Sequence, residues 1–205
     1  MKNNLDFFNA ILKADYEKHV KQFNESTYKE HQVVFVGDSL IAYMDTKKFL
    51  KTNIINMGIP GDTSVGVIKR LDQIVRIQPS KVLINIGSND LVLFKSHPDE
   101  IVENIKNIVN YLSTYVFDVK IYVTLVTPVL KDDVISNHLY IQNRTNDRIE
   151  AINESLKKTN LELVDTHRLW LNGSLNKAYS TDGIHLNEVG YRVYIESIKQ
   201  ALKID

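Results

Sequence analysis

Cysteine is absent from this chain of 205 residues. Its absence excludes a thiol nucleophile, a disulfide framework and any metal site built on thiolate ligands. An excess of positive charge is missing too, because 25 lysine and arginine residues balance 25 aspartate and glutamate residues. The charge balance therefore indicates no surface for a polyanion, and we expect no binding of nucleic acid.

Long apolar runs are also missing, both at the N-terminus and further along the chain. Residues Met1–Asp6 show no stretch typical of a signal peptide, and no segment has the length needed to cross a bilayer. We therefore expect a cytoplasmic protein without membrane insertion. Hydrophobic residues make up 43% and charged residues 24%, which is typical of a globular domain with one substantial core.

The chain does contain a regular alternation of short β-branched runs with longer segments of helical period. The runs have the nearly continuous apolar pattern of strands buried on both faces. They cover Val33–Val36, Asn53–Met57, Val82–Ile86, Lys120–Val126 and Leu161–Val164. This alternation predicts an α/β fold with helices on both faces of a parallel sheet. Since no repeat or flexible linker divides the chain, we expect a single domain over residues 1–205.

Apolar residues at helical spacing predict the helices that lie between these strands. The stripes are Val67, Ile68, Leu71, Ile74 and Val75; Ile101, Ile105, Ile108 and Leu112; Ile141, Ile149, Ile152 and Leu156; and Val193, Ile198 and Leu202. Thr63 or Ser64 can cap the first stripe, Ser96 and Pro98 lead into the second, and the last helix is expected after Asn187.

An additional helix is predicted within residues 1–30, ahead of the first strand. Its apolar residues recur at helical spacing and are Leu5, Phe8, Leu12, Tyr16, Val20 and Phe23. We expect this helix to pack on the domain. It also leaves room for a homodimer interface, and the sequence does not decide between the two roles.

Four short polar segments follow predicted strands or precede the last helix, where open parallel sheets bind ligands. They are Gly37-Asp38-Ser39-Leu40, Asn56-Met57-Gly58, Gly87-Ser88-Asn89-Asp90 and Asp182-Gly183-Ile184-His185. Each one alone is more typical of an ordinary turn or helix cap. Together they contain what a serine acyl-transfer site requires, namely a hydroxyl, donors for an oxyanion, and a carboxylate spaced to orient an imidazole.

In their order and spacing, these segments resemble the sequence blocks of the SGNH, or GDSL-type, hydrolases. The resemblance extends from about Phe35 to the last helix, and the stretches Gly58–Thr63 and Thr181–Gly190 are similar to platelet-activating-factor acetylhydrolase subunits. It implies a three-layer α/β/α, flavodoxin-like fold with a five-stranded parallel sheet. It also implies hydrolysis of small-molecule carboxylic esters with acyl or acetyl groups, of thioesters or of carbohydrate O-acetyl groups, without a cofactor or metal.

The resemblance also implies a role for individual residues of this chain. Ser39 would be the nucleophile, His185 its base and Asp182 the residue that orients His185. The oxyanion would be bound by the backbone N–H groups of Ser39 and Gly58 and by the side-chain amide of Asn89.

Other polar residues are expected to have lesser roles. Asp38 is predicted to bond within its own turn, and Asp90 to support the loop that carries Asn89. Asp165 and His167 form a rival pair for the base, which ranks lower because a spacing of two is poorer for a direct contact. Surface or structural roles are assigned to His19, His31, His97 and His138. No spacing typical of a metal site is present.

A segment after the fourth predicted strand could border the substrate. Its polar residues are Asp132, Asp133, Tyr140, Arg144 and Asn146. Ordinary solvation of a loop and a helix is the favoured account for most of them.

Three other interpretations remain open at this point. A flavodoxin-like module could bind a phosphate or nucleotide through the N–H groups of its glycine turns, without catalysis. However, the sequence contains neither a phosphate-loop nor a dinucleotide fingerprint, and a binding module would have no use for Asp182 and His185. The α/β-hydrolase fold, which also carries a catalytic serine, is disfavoured because no Gly-x-Ser-x-Gly elbow is present. A family member that has lost catalysis and serves as a scaffold is disfavoured, because Ser39, Asn89, Asp182 and His185 are all present.

Overall fold

A parallel sheet of five strands forms the centre of the computed structural model, which describes residues 2–136, 141 and 143–205, with the backbone alone for 2–9. The strands are Val33–Gly37 (β1), Ile54–Gly58 (β2), Lys81–Asn85 (β3), Lys120–Thr124 (β4) and Glu162–Val164 (β5). Their order is β2-β1-β3-β4-β5, and every neighbouring pair is parallel. This order is that of flavodoxin-like folds, so the predicted fold class is confirmed. The predicted strands are confirmed as well, with ends that shift by at most two residues.

Helices and short turns fill the connections between the strands. The helices are Lys2–Glu25 (α1), Ser39–Ala42 (α2), Thr46–Phe49 (α3), Ser64–Ile68 (α4), Leu71–Val75 (α5), Asp90–Leu93 (α6), Pro98–Tyr115 (α7), Asn146–Lys157 (α8) and Glu188–Leu202 (α9). Turns of 3₁₀ helix cover His167–Leu169 and Lys177–Tyr179, and an antiparallel hairpin pairs Trp170–Leu171 (β6) with Ser174–Leu175 (β7). Within the part of the chain that is described, no helix is both long and apolar enough to cross a membrane.

Two hydrophobic clusters, one on each face of the sheet, give the molecule three layers. Side chains of β1 divide between them, because successive residues of a strand point to opposite faces. Val34 and Val36 join the cluster that contains residues of α1, α4, α5, α7 and α8. Val33 and Phe35 join the cluster that contains residues of α2 and α9. β1 is therefore buried on both faces, which explains its continuous apolar sequence.

The first predicted helical stripe, residues 67–75, is divided into two helices rather than one. The backbone leaves helical geometry at Arg70, where φ is −122° and ψ is 17°. The Arg70 side chain is buried and donates from Nη2 to Asp62 Oδ2 over 2.8 Å, with both side chains 1% exposed. Thr63, rather than Ser64, caps α4 by accepting an N–H of its first turn. The buried ion pair thus fixes the loop that follows β2.

α1 lies within the segment where an additional helix was expected, and it packs on the domain. Phe23 is buried, Tyr16 Oη donates to the Gly66 carbonyl over 2.8 Å, and Gln73 Nε2 donates to the Val20 carbonyl over 2.9 Å. The side chains of two residues in its predicted stripe lie outside the described part of the chain, namely Leu5 and Phe8.

Candidate active site

The serine, asparagine and histidine that the sequence singled out lie together at the carboxyl ends of the sheet strands. Ser39 follows β1 after Asp38 and begins α2, and Asn89 follows β3 and precedes α6. His185 lies in the loop before α9, and all three side chains line one cavity. Because β1 and β3 are parallel neighbours, their following loops emerge at the same edge of the sheet.

Ser39, His185 and Asp182 form a continuous chain of hydrogen bonds. His185 Nε2 lies 2.9 Å from Ser39 Oγ, and His185 Nδ1 lies 2.5 Å from Asp182 Oδ2. An ionised carboxylate only accepts, so Nδ1 carries the ring proton and Nε2 is left to accept from the serine hydroxyl. This arrangement can withdraw a proton from Ser39.

The Asp-x-x-His spacing folds as one tight turn that fixes the carboxylate. Asp182 Oδ1 accepts the backbone N–H groups of Ile184 and His185 over 2.9 and 2.8 Å. Burial by itself would raise the pKa of Asp182, but the hydrogen bonds from the His185 ring and from these two N–H groups outweigh it. The pKa of Asp182 is therefore lower than its usual value, which keeps the carboxylate ionised.

The imidazole is also held from the side. The rings of Tyr43 and His185 meet edge to face, with centroids 5.3 Å apart and an interplanar angle of 64°. Such a contact limits rotation of the imidazole away from Ser39.

The rival pair, Asp165 and His167, forms a direct contact as well, with His167 Nδ1 3.2 Å from Asp165 Oδ2. This distance is longer than the 2.5 Å between His185 Nδ1 and Asp182 Oδ2, so the spacing of two is the poorer one for a direct contact, as expected. The two side chains are also 65% and 79% exposed, and they line a different cavity, to which neither Ser39 nor Asn89 contributes. This pair is remote from the serine.

Gly58, expected as an oxyanion donor, requires a correction. Its N–H donates to Asn56 Oδ1 over 2.9 Å, and the residue does not line the Ser39 cavity. Its backbone packs so closely on α2 that an added Cβ would lie 2.2 Å from the Ala42 nitrogen. Gly58 therefore serves the packing of β2 against α2, and its N–H is already engaged.

Gly61 takes the position at the cavity that was assigned to Gly58. It lines the same cavity as Ser39, Asn89 and His185, and its φ of +77° is a backbone conformation that favours glycine. Among the described residues, the Gly61 N–H has no hydrogen-bond partner. Sequence reasoning missed this residue, although it lies within the stretch Gly58–Thr63 that carried part of the resemblance.

The space above Ser39 is a cavity of about 310 Å³, called the Ser39 cavity below. Beside the polar residues already named, its walls are Leu12, Tyr43, Pro60, Val92, Leu93 and Ile184. These apolar side chains suit the hydrocarbon part of an acyl group. Leu12 belongs to α1, so the N-terminal helix contributes a wall that the sequence did not indicate.

The side-chain amide of Asn89 is bonded at both ends. Its Nδ2 donates to the Asp62 carbonyl over 2.9 Å, and its Oδ1 accepts from Arg144 Nη2 over 2.6 Å. Arg144 also reaches the Ser88 carbonyl through Nε, although that contact is long at 3.4 Å. The sequence favoured solvation for Arg144, yet the residue is 3% exposed and lines the Ser39 cavity.

Two buried aspartates support the loops of the site. Asp38 accepts the Leu40 N–H and the Asn85 side-chain amide, each over 3.0 Å, which confirms its predicted role within the turn. Burial raises the pKa of Asp38 to about 6, against the opposing effects of the Leu40 N–H and nearby positive charge. Asp90 accepts from the Ser64 N–H and hydroxyl, and this ties the Asn89 loop to α4.

Two other described residues after β4, Asn146 and Asp132, make structural contacts. Asn146 bonds both the N–H and the carbonyl of Val129, and Lys177 donates to Asp132 over 2.8 Å. Tyr140 and His138 lie outside the described residues. No group of three or more His, Asp and Glu residues within the described ranges is arranged to hold a metal ion.

Comparison with known proteins gives the family of this chain. Residues 35–193 match the model of the GDSL-like Lipase/Acylhydrolase family. N-acylneuraminate cytidylyltransferase of Escherichia coli O18:K1:H7 is 27% identical over 180 residues, which are 83% of this chain and 40% of that protein. Platelet-activating factor acetylhydrolase IB subunit alpha1 of Rattus norvegicus is 26% identical over 182 residues, 84% of this chain and 75% of that protein. The chain thus spans less than half of the cytidylyltransferase.

Solved structures agree with the fold. A structure from Streptococcus pneumoniae, described as that of a candidate platelet activating factor, has a TM-score of 0.87 and 23% identity, covering 98% of this chain and 99% of that chain. A GDSL-like lipase from Bacteroides thetaiotaomicron has a TM-score of 0.77 and 23% identity, covering 93% and 98%. At these identities the likeness shows the fold alone. Because the family model covers well over half of its length, the chain belongs to the GDSL-like lipase/acylhydrolase family.

Proposed function

We propose that the chain hydrolyses acyl or acetyl esters through an acyl-enzyme on Ser39, with His185 as general base and Asp182 orienting its ring. The observation that carries the proposal is the continuous hydrogen-bond chain, with 2.9 Å between Ser39 Oγ and His185 Nε2 and 2.5 Å between His185 Nδ1 and Asp182 Oδ2. Nucleophile, base and orienting acid in this contact are the parts that serine acyl transfer requires.

The proposed reaction has two steps, both of which use the same imidazole. Ser39 Oγ forms a bond to the acyl carbon while its proton passes to His185 Nε2. The ester bond then breaks, and the leaving alcohol takes that proton. In the second step, His185 removes a proton from water, the resulting hydroxide attacks the acyl carbon, and Ser39 Oγ leaves with the proton. Asp182, held ionised by its hydrogen bonds, stabilises the imidazolium that forms in each step.

For the oxyanion, we propose the backbone N–H groups of Ser39 and Gly61 and the Nδ2 amide of Asn89. Support comes from the cavity, which all three residues line, and from the two N–H groups, which have no other partner among the described residues. Asn89 Nδ2 uses one hydrogen for the Asp62 carbonyl and retains a second one for the ligand. Donors fixed in this way cost no reorganisation when charge develops.

The proposed active unit is the whole chain. Residues 1–205 would form one domain, to which the segment 1–30 adds a helix that bears Leu12 on the cavity wall. An uncharged acyl group suits the apolar side chains there. The expectations of a homodimer and of a cytoplasmic location stay predictions.

The experiment that tests the proposal is hydrolysis of p-nitrophenyl acetate and its longer-chain homologues. Ser39→Ala should lower turnover by roughly three to six orders of magnitude, as loss of a triad nucleophile does. Ser88→Ala is the matched control, because Ser88 lies in a neighbouring loop and its hydroxyl takes no part in the hydrogen-bond chain. Turnover by Ser39→Ala near that of the natural protein would contradict the proposal. Absence of turnover on every ester by the natural protein would favour the binding module instead.

A further inference from the structure

We infer that Arg144 is a positioning residue of the oxyanion site. It holds the Asn89 side chain so that the NH₂ group of the Asn89 amide faces the Ser39 cavity. The inference rests on the proposed function, since it assigns Arg144 a task only if Asn89 binds the oxyanion. Arg144 lies 55 residues from Asn89 in the chain, and its side chain donates to Asn89 Oδ1 over 2.6 Å.

The need for such a residue comes from the shape of an amide. Rotation of the Asn89 side chain by half a turn exchanges an oxygen for a nitrogen of nearly the same size. The exchanged orientation would direct an acceptor at the developing negative charge, and it would repel the oxyanion rather than stabilise it. A productive site therefore has to select one of two nearly isosteric orientations.

Both partners of the amide select the same orientation. Arg144 can only donate, so it requires the Asn89 oxygen on its side. The Asp62 carbonyl can only accept, so it requires the Asn89 nitrogen, which lies 2.9 Å away. The hydrogen bond from a guanidinium is the stronger of the two because its donor is charged. Donation to Oδ1 also polarises the amide and makes its N–H groups better donors.

Burial gives this contact its strength. Arg144 is 3% exposed, so water competes little for its guanidinium. Its Nε also lies 3.4 Å from the carbonyl of Ser88, the residue that precedes Asn89. Arg144 therefore holds both the backbone and the amide of the loop after β3.

Arg148 offers a matched control on the same segment. Its guanidinium also donates to loop carbonyls, over 2.7 Å to Ser96 and 3.2 Å to Asn143. It neither contacts Asn89 nor lines the Ser39 cavity. A general loss of loop support would affect both arginines, whereas loss of amide orientation would affect Arg144 alone.

The test is a double-mutant cycle on the full chain, with kcat and KM measured on p-nitrophenyl acetate. Asn89→Ala should lower kcat by about 100- to 1000-fold, as loss of an oxyanion donor does. Arg144→Met should lower kcat by about 10- to 100-fold, part of that loss, with KM changed less than about threefold because ground-state binding is retained. In the Asn89→Ala background, Arg144→Met should change kcat by less than about twofold.

Additive losses in the double variant would overturn the inference, because Arg144 would then act independently of Asn89. A loss of similar size in Arg148→Met would overturn it as well. Where Arg144→Met does not fold, Arg144→Lys gives the same cycle, since it retains the charge but not the fork that reaches Asn89 and Ser88 together. Full kcat in a folded Arg144→Met protein would equally overturn it, because methionine has no N–H to donate to Asn89 Oδ1. Turnover that does not depend on Ser39 would instead contradict the proposed function.

Discussion

Leu12 is the residue through which α1 reaches the Ser39 cavity, and its truncation is expected to change the acyl chain length that the enzyme prefers. Its Cδ2 atom lies 2.7 Å from the position that a Cβ on Gly61 would occupy, so the side chain covers that glycine. Leu12→Ala removes an isopropyl group from the wall of a cavity of about 310 Å³. The acyl chain should extend into the space that this change opens.

The size of the effect follows from the apolar volume that is exchanged. The space accepts about two to three methylene groups, and burial of each contributes about 0.8 kcal/mol. The preference for a longer acyl chain should therefore shift by about 1.6 to 2.4 kcal/mol, which is roughly 15- to 60-fold in the ratio of kcat/KM values.

The assay is kcat/KM on p-nitrophenyl acetate, butyrate, hexanoate and octanoate. Leu12→Ala should gain relative activity on the longer esters, because its cavity is deeper. Ile11→Ala is the matched control, since Ile11 is the preceding residue of α1, is 49% exposed and does not line the cavity. An unchanged chain-length profile in a folded Leu12→Ala protein would show that Leu12 does not limit the acyl chain, as would an equal shift in Ile11→Ala.

His185→Ala is expected to lower kcat by about a thousandfold or more, whereas His167→Ala, whose side chain is 79% exposed, should retain kcat within about twofold. Steady-state kinetics decide between them, and the reverse ranking would make His167 the base. Asp38→Asn is expected to remove a pH dependence of stability, because burial raises the pKa of Asp38 from 3.8 to about 6 and the native state then binds the proton more tightly than the unfolded state. The free energy of unfolding of the natural protein should fall relative to Asp38→Asn as the pH rises from about 4 to 6, by at most about 3 kcal/mol. Urea unfolding across this range measures the difference, and a difference that does not change with pH would contradict the prediction.

Much of the fold could be predicted because β1 and its neighbours are buried on both faces. Such strands must be apolar throughout, so they stand out in the sequence. The hairpin of β6 and β7 was missed although a signal was present. Asn172 and Gly173 form its turn with φ values of 51° and 75°, and an Asn-Gly pair is the residue choice that such a turn favours. The division of residues 67–75 had no such signal, since it depends on the buried contact of Arg70 with Asp62.

The main residues of the site could be predicted because parallel strands end at the same edge of a sheet. Ser39 and Asn89 each follow such a strand, so their positions in the sequence already imply proximity. Gly58 and Gly61 could not be separated by position alone, since Gly58 ends β2 and Gly61 lies three residues further on, in the loop that follows. The difference is that Asn56 folds back to accept the Gly58 N–H, a contact with the residue two positions on that Asn side chains make in turns.

Arg144 and Leu12 had no local signal. Arg144 looks like a solvated residue in its own segment, and only the three-dimensional fold brings it to Asn89. Leu12 fits the apolar stripe of a packing helix, and nothing in that periodicity distinguishes a residue that packs on the core from one that lines a cavity.

Covalent labelling of the natural protein with a fluorophosphonate, followed by mass spectrometry of its peptides, tests directly whether Ser39 is the nucleophile. Such a reagent reacts with a serine that a neighbouring base activates. We expect one adduct, located on Ser39 and absent from Ser39→Ala and His185→Ala. An adduct on another serine, or none on a folded protein that hydrolyses esters, would contradict the role of Ser39 as nucleophile.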